Sequence, residues 1–244
     1  MYQTPLKYKF LKPEKIVGQR CWMNKKEVSK AYHADLDSFV VTPGMVTAQT
    51  TENQSRSTFV ISKPQIGYKT ATAIFYLYGE NPEKTAYNLS GLINEAKECT
   101  IQLERSNLFY RAILTSSSTS STSFRYYTQV TLTFNVMESL PLTTHEISSN
   151  AIIYNPGTAE SECILEITPK NQLPQYTIMG ITIKNLTVNT TVTIDGINKT
   201  VMAGTDNKWA DTDLVDFPAL QPGKNEITMS SNQPVVISYY PIIL

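Results

Sequence analysis

The stretch Tyr126-Tyr127-Thr128-Gln129-Val130-Thr131-Leu132-Thr133-Phe134-Asn135-Val136 decides the fold class. Tyr126, Thr128, Val130, Leu132, Phe134 and Val136 fall on one side, and Gln129, Thr131, Thr133 and Asn135 on the other. Successive side chains of a strand point to opposite faces, so period two over this length means a long β-strand with one buried face. Leu103–Leu114 upstream is rich in apolar residues, and Ser116–Ser123 between the two is almost all Ser and Thr. That tract has little to bury and reads as the tip of a β-hairpin arm, residues 109–136, projecting from a sheet. Arms of this kind usually serve assembly rather than chemistry. Ser116, Ser118, Ser120, Ser123, Phe124 and Arg125 are therefore the candidate residues of a contact between subunits.

Around the arm, one segment reads as a helix. Asn81-Pro82-Glu83 offers an N-cap, a proline at the first helical position and an early acidic residue. Ala86, Leu89, Leu92/Ile93 and Ala96 recur at helical spacing, which predicts a helix over 82–98 with that stripe packed on a sheet. Strands are expected at Ser57–Ser62, Ala71–Tyr78, Thr100–Leu103 and Phe109–Leu114. A boundary falls near Glu138–Thr144, giving domains at 1–138 and 139–244.

Beyond that boundary no helical period remains. Short strands are expected at Ile147–Tyr154, Glu162–Thr168, Tyr176–Lys184, Thr191–Ile194, Lys199–Met202, Glu226–Met229 and Val235–Tyr240. Asp195-Gly196 is the signal of a two-residue type I′ turn, and Pro222-Gly223 marks another turn. The pattern is that of a β-sandwich. The fold class is mainly β.

The chain has 244 residues, 41% hydrophobic and only 17% charged, with no net charge, so as a whole it is not built to hold nucleic acid. The halves differ: residues 1–138 carry 16 Lys/Arg against 11 Asp/Glu, and residues 139–244 carry 5 against 10. A basic face meeting an acidic partner, or a neighbouring copy, competes with a simple solvated surface, the commoner meaning of scattered charge. Cys21, Cys99 and Cys163 have neither the number nor the spacing of a disulfide framework or zinc site. Met1–Lys15 is broken by lysines and prolines and lacks the apolar core of a secretory signal, and no apolar run approaches the length of a membrane helix. A cytosolic site of synthesis and assembly is expected. The five Asn-x-Ser/Thr sequons, starting at Asn53, Asn88, Asn185, Asn189 and Asn198, then reflect composition.

Chemistry finds little support. No two of the ten glycines lie closer than eight residues, which excludes phosphate-cradling loops and the nucleophile elbow. His33 and His145 stand in different halves without a paired motif and read as surface or structural residues. Asp206, Asp211, Asp213 and Asp216 cluster beside Trp209, but the cluster lacks the glycine and terminal Glu of a calcium loop and reads as an acidic loop. No catalytic residue, cofactor or metal is expected. Trp209, with the strand tyrosines, is the candidate for a stacking contact with a sugar.

Several pieces in the C-terminal half keep a particular order: Asn155-Pro156-Gly157, Ile183-Lys184-Asn185-Leu186, Val192-Thr193-Ile194-Asp195-Gly196, Phe217-Pro218-Ala219-Leu220-Gln221-Pro222-Gly223-Lys224-Asn225 and the ending Ile237-Ser238-Tyr239-Tyr240-Pro241-Ile242-Ile243-Leu244. In these the chain resembles the distal tail proteins (Dit) of long-tailed phages and prophages of Gram-positive bacteria. The first half agrees in layout, although Met1–Gly18 precede the Cys21-Trp22-Met23-Asn24 strand at which such a chain would be expected to start.

The resemblance implies a hexameric ring made by the N-terminal domains at the end of the tail tube, with a galectin-like or carbohydrate-module-like second domain facing outward. It implies as partners the tail tube protein, the tape-measure protein or tail-associated lysin, and receptor-binding or baseplate proteins. No membrane and no sequence-specific nucleic acid is among them, and the location is the virion. The competing reading is a carbohydrate- or receptor-binding module that contacts the bacterial cell wall.

Overall fold

The computed structural model describes residues 19–44, 68–122 and 127–244, together with the backbone of four short strand pieces between 46 and 66. Its chain divides into two compact units, one of Met1–Ser106 with Ala112–Val136 and one of Asn107–Arg111 with Met137–Leu244.

The first unit opens with β1 (Cys21–Met23), β2 (Lys26–Glu27), the short helix α1 (Val28–Tyr32) and β3 (Ala34–Thr42). Four two-residue strands follow, β4 (Val46–Thr47), β5 (Thr50–Thr51), β6 (Val60–Ile61) and β7 (Gln65–Ile66), of which β6 is the described part of the Ser57–Ser62 expectation. Then come β8 (Lys69–Tyr78), α2 (Pro82–Ala96), β9 (Glu98–Leu103), β10 (Phe109–Ser121) and β11 (Tyr127–Ser139). The main sheet has the order β2-β1-β9-β10-β11-β8-β3.

The alternation in β11 is realised. Val130, Leu132, Phe134 and Val136 are buried while Asn135 is exposed, and the strand pairs antiparallel with β8 from Tyr127↔Tyr78 to Val136↔Lys69. Large residues face small ones across this pair: Leu132 lies opposite Ala73 and Phe134 opposite Ala71. Such interdigitation fills a sheet face without voids.

Helix α2 begins as expected, with the Asn81 side chain accepting from Lys84 N at 2.8 Å and proline just inside. Its buried positions are Asn88, Leu92 and Ala96. Of the expected stripe, Ala86 is exposed and Leu89 and Ile93 are only partly covered. The helix is apolar over a wider arc than the sheet covers. A second element, α1, takes the opposite flank: a Cβ at Gly91 would lie 3.1 Å from the Tyr32 ring, so a larger residue there would push the ring back by a few tenths of an ångström.

Glu95 locks this arrangement. Its carboxylate accepts from Asn24 Nδ2 at 2.8 Å, Lys26 Nζ at 2.6 Å and Tyr32 Oη at 2.7 Å. Lys26, then Tyr32 and Asn24, hold the Glu95 carboxyl down at about 2. Because the folded value lies below the unfolded one, this contribution is complete above about pH 4.5 and is lost as the pH falls toward 2. Glu95→Gln should cost about 2 kcal/mol at neutral pH and flatten the stability profile between these limits. Acid titration of the unfolding midpoint checks it, and an unchanged acid limb would refute the assignment.

The second unit contains β12 (Thr143–Ile147), β13 (Ala151–Asn155), β14 (Ser161–Ile167), β15 (Leu173–Ile178), β16 (Ile181–Leu186), β17 (Val192–Asp195), β18 (Thr200–Ala203) and β19 (Asp206–Asn207). After a 3-10 turn at Trp209–Asp211 follow β20 (Thr212–Asp213), β21 (Ala219–Leu220), β22 (Gly223–Ile227), β23 (Val235–Tyr239) and β24 (Ile242–Ile243). One sheet has the order β12-β23-β14-β17-β18-β19; smaller sheets pair β13 with β22 and place β16 between β15 and β20. Leu165, Ile167, Tyr176, Ile178, Ile183, Ile194, Ile237 and Tyr239 form the core.

Three stretches differ from expectation. The run expected as one strand over Ile147–Tyr154 is broken at 148–150, so that Ile147 ends β12 and Ala151–Asn155 form β13 in another sheet. The run expected as one strand over Tyr176–Lys184 is a hairpin that reverses at Met179 and Gly180, both at positive φ (50° and 80°), the combination a type I′ turn requires. At Asp195-Gly196 the loop is four residues long, since Asp195 pairs with Thr200. The Asp195 carboxylate accepts from Ile197 N at 2.9 Å and Asn198 N at 2.8 Å, and the positive φ falls at Lys199. Gly196 is needed for proximity: an added Cβ would lie 2.6 Å from Cys163 O.

All three cysteines are buried and free, and burial pushes each thiol up to about 12. A thiolate is the reactive form, so the folded protein should resist alkylation at pH 8 while three thiols react in denaturant. Mass spectrometry after an iodoacetamide pulse measures this, and rapid labelling of the native chain would contradict it.

Candidate assembly surfaces

Strands β10 and β11 build the hairpin that the sequence identifies, but most of the Ser/Thr tract is strand rather than loop. Ser116–Ser121 continue β10 as regular strand, with Ser116, Ser118 and Ser120 exposed. A ladder of backbone hydrogen bonds does not require apolar side chains, and here the hydroxyls reinforce it. Thr115 Oγ1 donates to Thr133 O at 2.9 Å, and Thr122 Oγ1 donates to Tyr127 O at 2.9 Å. Ser123, Phe124 and Arg125 lie outside the described residues.

Beside the hairpin's outer end stands an aromatic group that the sequence did not disclose. Tyr127 stacks on Tyr78 at 5.8 Å, and His33 meets Tyr78 edge-on at 5.2 Å. The Tyr127 hydroxyl is pushed up by burial, then by Tyr78 and Asp35. His33 occupies the left-handed position (φ 50°) that ends α1. Tyr78 and Tyr127 are opposite each other only in the observed register, so no local pattern announces the pair.

A second surface lies on α2. Ala86, Leu89 and Ile93, with Ser90, Asn94 and Lys97, line a shallow groove of about 370 Å³. It is formed by the apolar positions that the sheet leaves uncovered.

In the second unit, Trp209 is 47% exposed and packs on Phe217 at 5.5 Å. Lys199 Nζ lies 4.9 Å from the centre of the Phe217 ring and is paired with Glu162. Two of the four acids beside Trp209 face cations. Asp211 accepts from Lys208 Nζ at 2.7 Å and Asn185 Nδ2 at 3.1 Å, which lower its carboxyl in that order, and Asp213 pairs with Lys184 at 3.0 Å. Lys208 within the loop and Lys184 on β16 thus supply the counter-charges. Among the described residues no three His, Cys, Asp or Glu stand together as metal ligands. His145 stacks on Tyr239 at 6.0 Å, on β12.

The ordered pieces of the C-terminal half turn out to be joints. Asn155, 1% exposed, donates to Ser161 Oγ at 3.1 Å and Leu220 O at 3.0 Å, and accepts from Gly157 N at 2.9 Å. Ser161 Oγ in turn accepts from Ile242 N at 3.0 Å, and Ile242 O accepts from Thr158 N at 2.8 Å. β24 then pairs with Glu138–Ser139.

Comparison with known proteins agrees with this architecture. Residues 156–242 match the family described as siphovirus-type tail component, C-terminal domain. The crystal structure of SPP1 Dit (gp 19.1), described as a paradigm of the hub adsorption apparatus in phages infecting Gram-positive bacteria, superposes with a TM-score of 0.73 at 10% identity. That match covers 93% of this chain and 99% of the other. A chain of the phage P2 baseplate in its activated conformation with Ca gives 0.60 at 12% identity, covering 91% and 97%. The same baseplate with Sr gives 0.58 at 13%, covering 88% and 92%. No curated protein sequence matches. Residues 156–242 are thus similar to a siphovirus-type tail-component domain, and the chain as a whole has the fold of the SPP1 protein.

Proposed function

We infer that this chain is a structural component of a phage or prophage tail tip, a hub that joins the tail tube to the baseplate or receptor-binding apparatus. The observation that carries this reading is fold identity over nearly the whole chain, together with the tail-component match of residues 156–242. Six copies form a closed ring through their first units, since a head-to-tail contact closes when its rotation divides the circle. The β10–β11 hairpin, with Ser116, Ser118, Ser120, Ser123, Phe124 and Arg125, lies at the contact between neighbours. The second unit, within 139–244, carries the receptor-binding or baseplate partners, while the tube protein and the tape-measure protein or lysin bind the ring. The chain performs no reaction. It is assembled in the host cytoplasm and resides in the virion.

Light scattering and electron microscopy of the purified chain test this, with ring-shaped particles of six copies as the expected result. A chain that remains monomeric at high concentration, alone and with the tube protein, would overturn it. The half-exposed, firmly backed Trp209 favours a further role of the second unit in contacting cell-wall sugar. Binding to cell walls that Trp209→Ala abolishes while rings persist would establish that role, and equal binding by the variant would remove it.

A further inference from the structure

Asp195-Gly196 is the chain's only linkage from an Asp or Asn to a glycine. Such linkages are among the least durable in water, because glycine has no side chain to keep its nitrogen away from the preceding carboxyl. The Gly196 nitrogen attacks Cγ of Asp195 and an N–Cγ bond forms. The amide proton and the Cγ hydroxyl leave together as water, which closes a succinimide ring. A water molecule then adds at the main-chain carbonyl carbon and breaks its bond to nitrogen. The chain now runs through Cβ and Cγ, and residue 195 is an isoaspartate. Water is the only other reactant.

The fold blocks each part of this chemistry. The Asp195 carboxylate accepts from Ile197 N at 2.9 Å and Asn198 N at 2.8 Å through Oδ1, and from Asn198 Nδ2 at 2.7 Å through Oδ2. Cγ cannot turn onto the Gly196 nitrogen without giving these bonds up. That nitrogen is itself engaged, donating to Cys163 O at 3.0 Å. Cys163 N donates in turn to Pro218 O at 2.9 Å, and an added Cβ at Gly196 would lie 2.8 Å from the same oxygen. Gly196 is thus buried between β14 and Pro218. Pairing with Ile164 on one side and Thr200 on the other fixes the backbone of Asp195.

We propose that Asp195-Gly196 is a latent self-modification site, silent in the native second unit and converted to isoaspartate when the β17–β18 loop opens. The added main-chain methylene and the shortened side chain cannot rebuild the cap on Ile197 and Asn198, so a converted loop does not close again on Cys163. The proposal is independent of the ring reading and adds to it a lifetime for the second unit, which is lost one opening at a time.

The full-length chain is incubated for weeks at neutral pH, folded and in guanidinium chloride, and isoaspartate at position 195 is read by peptide mapping with electron-transfer fragmentation. Formation about tenfold slower in the folded chain is expected, since the reaction waits on opening. Asn198 is exposed, so Asn198→Ala keeps the fold while removing one of the three bonds. It should speed formation in the folded chain about fivefold, as the loss of one such bond implies. Asp195→Glu, whose longer side chain closes a ring poorly, serves as the blank. Equal rates in the folded and unfolded chain overturn the proposal, as does an unfolded chain in which position 195 stays aspartate. A folded Asn198→Ala chain that reacts no faster than the parent overturns the assignment of the lock to the carboxylate cap.

Discussion

Asn155→Ala should destabilise the second unit by about 3 kcal/mol, the expected cost of stripping a fully buried amide network. Three bonds are lost together: those to Ser161 Oγ, to Leu220 O and from Gly157 N. Alanine leaves the N–H of Gly157 buried without its partner and takes from the carbonyl of Leu220 its side-chain donor. It also frees Ser161, whose hydroxyl positions Ile242. Gly157→Ala attacks the same joint from the other side, since its Cβ would stand 2.6 Å from Ile242 O and 2.9 Å from Ile242 N. Backbone must shift, and a loss of about 2–4 kcal/mol is expected. For a unit of this size, 3 kcal/mol corresponds to a fall of roughly 12 °C in Tm. Thermal and denaturant unfolding followed by circular dichroism measure both variants. A change below about 1 kcal/mol for Asn155→Ala would mean that the network is ornamental.

In the first unit, Phe134→Ala should cost about 4 kcal/mol, and Asn135→Ala, one residue along the same strand, should lie within about 0.5 kcal/mol of zero. Phe134 is fully buried opposite Ala71, and its removal opens a cavity that the small neighbour cannot fill. Asn135 is exposed on the other face. The contrast tests the period-two reading directly. Equal costs at the two positions would refute it. Because the ring reading places the first unit at the subunit contact, Phe134→Ala should also abolish ring particles at temperatures where the parent chain still assembles.

Much of this was legible without coordinates. The alternation in β11 is a statement about which side chains meet water, and burial follows it from Val130 to Val136. The cap of α2 was equally plain, because Asn81, Pro82 and Glu83 act through their own backbone. The Met179-Gly180 reversal was missed because methionine rarely adopts positive φ and carries no turn signal. The Ser/Thr tract was misjudged for a related reason. Its side chains have no preference strong enough to oppose β11, so pairing with that strand decides their conformation.

The candidate surfaces lie further from what local pattern can reveal. Helical spacing named Ala86, Leu89 and Ile93 as apolar, but which of two apolar flanks meets the sheet depends on how α2 is rotated. Glu95, through Lys26, Tyr32 and Asn24, and the close approach of Tyr32 at Gly91 set that rotation. Asn155, Gly157 and the terminal Ile242 were visible as ordered pieces far apart in the chain, without a reason for their order.

By itself, then, the sequence determined most of the strands, the helix start, the polar and apolar faces and the likeness in the last hundred residues, since these depend on each residue's own affinity for water and its neighbours along the backbone. Tertiary structure alone decided register, helix rotation and the joint that ties Ile242 to Asn155 through Ser161. Those rest on contacts between residues distant in the chain, whose free energy exists only once both partners are in place.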